Sequence, residues 1–179
     1  VLVAAHAEGV LHCDLKPANV LFDADGHAVL ADFGIARAAT AADTTRSMAF
    51  ITPDHAAPEL WEGAAPTPAT DLYALGSMLH HMLVGRPPFQ DPTGVRLPPL
   101  QVMRRVLAEP APPILRPDVP APLSELIGRL LAKDAQGRPQ NASEVVEALD
   151  AVSAGGDDDD DRPRRRVGPL RDLPSVARS

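Results

Sequence analysis

The chain has 179 residues, 45% of them hydrophobic, and a formal net charge of −7. That length suits one domain with a sizeable core over residues 1 to about 150, and the acidic balance argues against a general nucleic-acid binder. Five of the acids fall in one run, Asp157 to Asp161, so the folded part is less acidic than the total.

Cys13 is the sole cysteine, which excludes an internal disulfide and suits a reducing, cytoplasmic setting. There is no run of about 18 apolar residues, and no basic stretch precedes the apolar N-terminus, so neither a membrane span nor a signal peptide is visible. Val1 opens the chain and the first methionine is Met48. Residue 1 therefore reads as a cut or a mis-assigned start within a longer gene.

In chain order, residues 1–10 are Ala-rich with His6 and close on Gly9, the pattern of the last turns of a helix. His12-Cys13-Asp14-Leu15-Lys16-Pro17-Ala18-Asn19 follows. Within it Asp14 can accept a proton from a hydroxyl, Lys16 can neutralise a migrating phosphate and Asn19 can hold a metal ion. Two short apolar runs, Val20-Leu21-Phe22 and Ala28-Val29-Leu30-Ala31, flank the turn cluster Asp23-Ala24-Asp25-Gly26-His27 and predict a hairpin. Asp32-Phe33-Gly34 then supplies a second metal-binding carboxylate, and the hairpin brings Asp14, Asn19 and Asp32 to one side of a cleft. Residues 35–58 read as a long functional loop that closes at Ala57-Pro58-Glu59.

The apolar spacing from Asp71 to Val84 predicts a helix buried on most sides, with Asp71 as N-cap and Gly85 as terminator. His80 and His81 are adjacent and point different ways, so they read as packing or surface residues and not as a metal pair. Further helices are predicted near Leu100–Leu107, Leu123–Leu131 and Ser143–Val152, the last with a capping box from Asn141 and Glu144. From Ser153 the chain becomes a charge-segregated tail of Asp157–Asp161 and then Arg162, Arg164, Arg165 and Arg166, a composition that predicts disorder.

Five of these motifs, in this order and spacing, resemble the C-terminal lobe of a bacterial (Hanks-type) serine/threonine protein kinase. They are His12 to Asn19, Asp32 to Gly34, Thr52-Pro53-Asp54-His55-Ala56-Ala57-Pro58-Glu59, Thr70-Asp71-Leu72-Tyr73-Ala74-Leu75-Gly76, and Arg138-Pro139. The resemblance implies an α+β, protein-kinase-like fold: a mostly helical C-lobe with a small β-hairpin, the N-lobe absent, over residues 1–152, with the tail at 153–179. It also implies ATP and Mg2+ as cofactors, protein Ser/Thr hydroxyls as substrates and an N-lobe upstream.

By the same resemblance Asp14 is the catalytic base, Lys16 approaches the γ-phosphate, and Asn19 and Asp32 bind magnesium. Leu21 lies against adenine, and Thr52 belongs to the substrate-positioning loop. His12 and Phe33 stack in the regulatory spine above Asp71, and Glu59 pairs with Arg138 in a buried ion pair. The alternative reading is an inactive kinase remnant that binds proteins. A small-molecule phosphotransferase is a third, opposed by the Asp32-Phe33-Gly34 triplet and the Ala57-Pro58-Glu59 closure.

The pattern breaks in places. Cys13 stands where many kinases carry an arginine that grips an activation-loop phosphate. A thiol is a poor donor, so Thr44, Thr45 and Ser47 are expected to switch activity weakly or not at all. Ile51 replaces the usual Gly, and His55 a common Tyr. No Gly-rich loop precedes His12, and the only lysines are Lys16 and Lys133, so the ATP-anchoring lysine is missing from this stretch.

Overall fold

The computed structural model describes residues 1–32, 37–38 and 52–155. Phe33, Gly34, Thr44, Thr45, Ser47, Ile51 and the charged run from Asp157 lie outside the described residues.

Helix α1 (Leu2–Ala7) ends just before Gly9, whose φ of +70° supplies the left-handed turn that stops it. Strand β1 (Val10–Leu11) leads into the motif of residues 12–19. The predicted hairpin is present as β2 (Val20–Phe22) and β3 (Ala28–Leu30), in the register Val20↔Leu30, Leu21↔Val29 and Phe22↔Ala28. A strand not foreseen, β4 (Arg37–Ala38), pairs antiparallel with β1 inside the stretch that the sequence presents as a loop. Two residues are too few to show the alternation by which a strand is recognised.

Helix α2 (Pro58–Trp61) precedes the central helix α3 (Pro68–Val84). Here the structure corrects an expectation. Asp71 is not the N-cap of α3 but lies inside its first turns, 1% exposed. The helix starts earlier because Pro68 suits a first turn and the Thr67 N–H donates to Thr70 Oγ1 at 2.9 Å. That upstream start frees the Asp71 carboxylate for the residues around Cys13. Gly85, φ +82°, closes the helix as predicted, donating its N–H to His81 O at 2.8 Å.

Helices α4 (Pro99–Ala108), α5 (Ala121–Leu130) and α6 (Ala142–Gly155) complete the described fold. One apolar cluster gathers Tyr73, Phe89, Val102 and Ile127 between α2, α3, α4 and α5. A second joins Leu72, Leu126, Leu130 and Val145 where α3, α5 and α6 meet. Each such fully buried side chain contributes roughly 1.5–3 kcal/mol. The α3–α5 crossing is close: a Cβ on Gly76 would lie 2.5 Å from Leu130 Cβ.

Asn141 and Glu144 do cap α6, with Glu144 N–H donating to Asn141 Oδ1 at 3.0 Å and Gln140 N–H to Glu144 Oε2 at 3.0 Å. The helix continues through Ser153 to Gly155, into residues assigned to the tail from sequence. Among the described residues no helix is long and apolar enough to cross a membrane.

Candidate active site

The site is built on a bend that would be costly without support. Cys13 has φ +64°, a left-handed conformation uncommon outside glycine. The buried Asp71 carboxylate holds the bend by accepting His12 N–H at 2.8 Å and Cys13 N–H at 2.9 Å. His6 Nε2 approaches the same carboxylate at 2.9 Å, which ties α1 to α3.

His12, 0% exposed, joins two segments. Its Nδ1 accepts the Asp14 N–H at 3.3 Å, which places its hydrogen on Nε2, facing Ala31 O at 3.2 Å. Ala31 N–H in turn donates to Asn19 O at 2.8 Å. The end of β3 is thereby stapled to the loop, one residue before Asp32.

Four of the six residues singled out from sequence converge. Asp14 Oδ2 lies 2.5 Å from Lys16 Nζ, and Oδ1 accepts the Thr52 hydroxyl at 2.6 Å. Asn19 Nδ2 donates to Asp14 O at 2.8 Å and to Oδ2 at 3.2 Å. Lys16 Nζ also reaches Thr52 Oγ1 at 3.4 Å. Because Asn19 directs Nδ2 at Asp14, its Oδ1 is the atom left to act as a ligand. Burial pushes the Asp14 carboxyl up, but the bonds from Lys16, Thr52 and Asn19 and the Lys16 charge prevail and hold it below its ordinary value. Asp14 is therefore an ionised acceptor at neutral pH.

The other two stand apart. Asp32 is exposed, has φ +59°, and makes no hydrogen bond or ion pair with the described residues. Leu21 is 54% exposed on β2. Asn19 Oδ1 and the Asp32 carboxylate are each oxygen donors of the type a hard divalent cation takes.

Behind Thr52, the segment is anchored twice. Glu59 and Arg138 form the expected ion pair in bidentate form, Nη1–Oε1 2.6 Å and Nη2–Oε2 2.8 Å. The Arg138 side chain is fully buried and Glu59 remains 20% exposed. Burial raises the Glu59 carboxyl, and the Arg138 bonds and charge more than reverse that. The second anchor is His55, 5% exposed, whose Nδ1 lies 2.8 Å from Ser77 Oγ. Sequence reading noted His55 only as a departure and missed Ser77. The available signal was the i,i+4 spacing of Ser77 and His81, which puts both on one face of α3. His80 is buried, in keeping with a packing role, and His81 is half-buried.

The protein kinase domain model matches residues 1–149. The chain is 42% identical over 159 residues to the serine/threonine-protein kinase PkaA of Streptomyces coelicolor, covering 86% of this chain and 28% of PkaA. It is 38% identical over 148 residues to the serine/threonine-protein kinase PknK of Mycobacterium bovis, covering 83% of this chain and 13% of PknK. It is also 35% identical over 176 residues to the serine/threonine-protein kinase PknA of Mycobacterium tuberculosis, covering 98% of this chain and 39% of PknA. The chain thus spans well under half the length of these curated relatives.

Proposed function

The chain belongs to the protein kinase family, and from that premise we propose that it is the catalytic lobe of an enzyme moving the γ-phosphoryl group of ATP to serine and threonine hydroxyls of proteins. In this reading residues 1–152 form the C-terminal lobe, the N-terminal lobe lies upstream, and the enzyme works in the cytoplasm. The convergence of Lys16, Thr52 and Asn19 on the Asp14 carboxylate carries the proposal. Phosphoryl transfer asks a protein mainly for alignment and charge stabilisation. The cluster supplies an ionised acceptor for the substrate hydroxyl, a cation beside it and a hydroxyl that fixes the acceptor's orientation.

Asp14 is a weak base, since its proton affinity is lowered. It therefore aligns the hydroxyl first and takes the proton late, once bonding to phosphorus has made that hydroxyl acidic. Lys16, shared between Asp14 and Thr52, balances charge on the migrating group. Asn19 Oδ1 and the Asp32 carboxylate are hard oxygen donors of the kind magnesium takes, and they would hold it. Bound magnesium would offset phosphate charge. Leu21 offers an apolar face to adenine.

The test is phosphorylation of a Ser/Thr peptide with magnesium and labelled ATP, using the gene product that includes the upstream region. Asp14→Asn and Asp32→Ala should each lower kcat by about 10²–10⁴-fold, the scale of a lost general base or charge-stabilising group. Either variant keeping more than about a tenth of the rate would overturn the role given to that residue.

A further inference from the structure

The turn that carries Thr52 to Asp14 is fastened to α3 through a line of small polar contacts. His55 N–H donates to Thr52 O at 3.0 Å and Ala56 N–H to Pro53 O at 3.5 Å, closing the turn. His55 Nδ1 lies 2.8 Å from Ser77 Oγ, and the Ser77 hydroxyl donates to Asp54 O at 3.3 Å. On the other edge of the ring, His55 Nε2 lies 3.4 Å from His81 Nδ1. The two ring centres are 5.5 Å apart with an 18° angle between planes. The centre separation exceeds the nitrogen separation by nearly the whole of two ring radii, so the nitrogens point at each other.

Hydrogen counting fixes a direction. The single Ser77 hydrogen is used on Asp54 O, so Ser77 Oγ must accept, and His55 carries its hydrogen on Nδ1. Neutral His55 then has a bare Nε2, which accepts from His81 Nδ1–H. We propose that His55 and His81 are positioning residues of this site: a one-way chain from His81 through His55 and Ser77 to the Asp54 carbonyl pins the turn that presents Thr52 to Asp14. The consequence for phosphorylation rests on the function proposed above, but the chain itself does not.

A second proton on His55 would face the His81 N–H and break the line. The charged and titratable groups around it are Asp54 on the turn, Asp14 and Lys16 in the facing loop, and His80, His81 and Arg86 on and after α3. Gln90 and Arg96 occupy the Asp54 carboxylate, at 2.6 Å and 3.5 Å. Burial holds His55 down to about 4 and His81 below its ordinary value, so both rings are neutral at pH 7.

Imidazole nitrogen–carbon correlation spectra of the labelled chain test this without ATP. At pH 7 both His55 and His81 should carry their hydrogen on Nδ1, the form that free neutral imidazole disfavours. His81→Leu removes the donor and should speed amide exchange of His55 and Ala56 roughly fivefold, while His81→Asn, which keeps an N–H donor, should stay near wild type. A hydrogen on Nε2 of either ring, or equal exchange in the two variants, overturns the chain. If His81→Leu does not fold, the wild-type spectra still decide. Intact Nδ1 forms in a protein that never transfers phosphate would sink the kinase reading alone. The converse pattern would sink only this inference.

Discussion

Arg138 places a full charge at a position with no side-chain exposure, which is tolerable only because every direction of the guanidinium is answered. Besides Glu59, it donates to Ala132 O at 2.9 Å, Ala69 O at 2.9 Å and Lys133 O at 3.1 Å, and it lies 5.0 Å over the Tyr73 ring. Arg138→Met should cost about 3–5 kcal/mol in chemical denaturation, since it strands the Glu59 charge and three carbonyls together. The double variant with Glu59→Leu should recover part of that loss, and a single-variant cost under about 1 kcal/mol would contradict the account. Asp14, Lys16 and Asn19 were legible because their spacing is local and their chemistry is written in side-chain type. Thr52, 38 residues from Asp14 along the chain, and Arg138, 79 from Glu59, were reachable only through a family pattern. Nothing in periodicity links such distant positions. The His55–Ser77–His81 line was less visible still, because it depends on which nitrogen holds a hydrogen.

At the level of elements, the α3–α5 crossing depends on one missing methyl group. Gly76 lies opposite Leu130, whose Cβ and backbone would stand 2.5 Å and 3.4 Å from an added Cβ. Gly76→Ala should therefore destabilise by about 1–3 kcal/mol despite the better helix propensity of alanine, because the helices must separate to admit it. Leu130→Ala opens a cavity and should itself cost about 2–5 kcal/mol. Because Leu130→Ala keeps the Cβ and backbone that an added methyl would meet, it should not rescue Gly76→Ala, and full recovery in the double variant on urea unfolding would count against the close crossing. The helices were readable from apolar spacing, and Gly9, Gly85 and Asn141 marked ends or starts correctly. The start of α3 was misjudged because Asp71 has the chemistry of a cap and is used instead to hold the Cys13 bend. Strand β4 was unreadable because its partner, β1, is equally short.

For the whole molecule, the shifted groups combine into a stepped dependence of stability on pH. Burial lowers His55 from 6.5 to about 4, so between those values the unfolded chain binds more protons and acid favours unfolding. His80 and His81 shift in the same direction, and Asp14 and Glu59, both lowered, extend the loss below their ordinary values of 3.8 and 4.5. The His55 share is on the order of 3 kcal/mol, complete once pH has fallen through its folded value. A second step lies on the alkaline side. Lys133 Nζ is buried without a hydrogen-bond partner among the described residues, 3.9 Å over the Phe89 ring, and burial lowers it from 10.5 to about 8. Between those two values the folded chain again holds fewer protons, so stability should rise with pH there. Tyr73, raised by burial, turns the slope the other way above its ordinary value of 10.0. Urea titrations from pH 4 to 10 should therefore show a climb to about pH 6.5, a flatter stretch, and a second climb beginning near pH 8. Lys133→Met should abolish the upper climb, leave the lower one in place and raise stability at pH 7, because it removes a charge that the Phe89 face only partly compensates. An upper climb that persists in Lys133→Met would mean that another group titrates there and that the Lys133 ammonium is better solvated than its surroundings indicate.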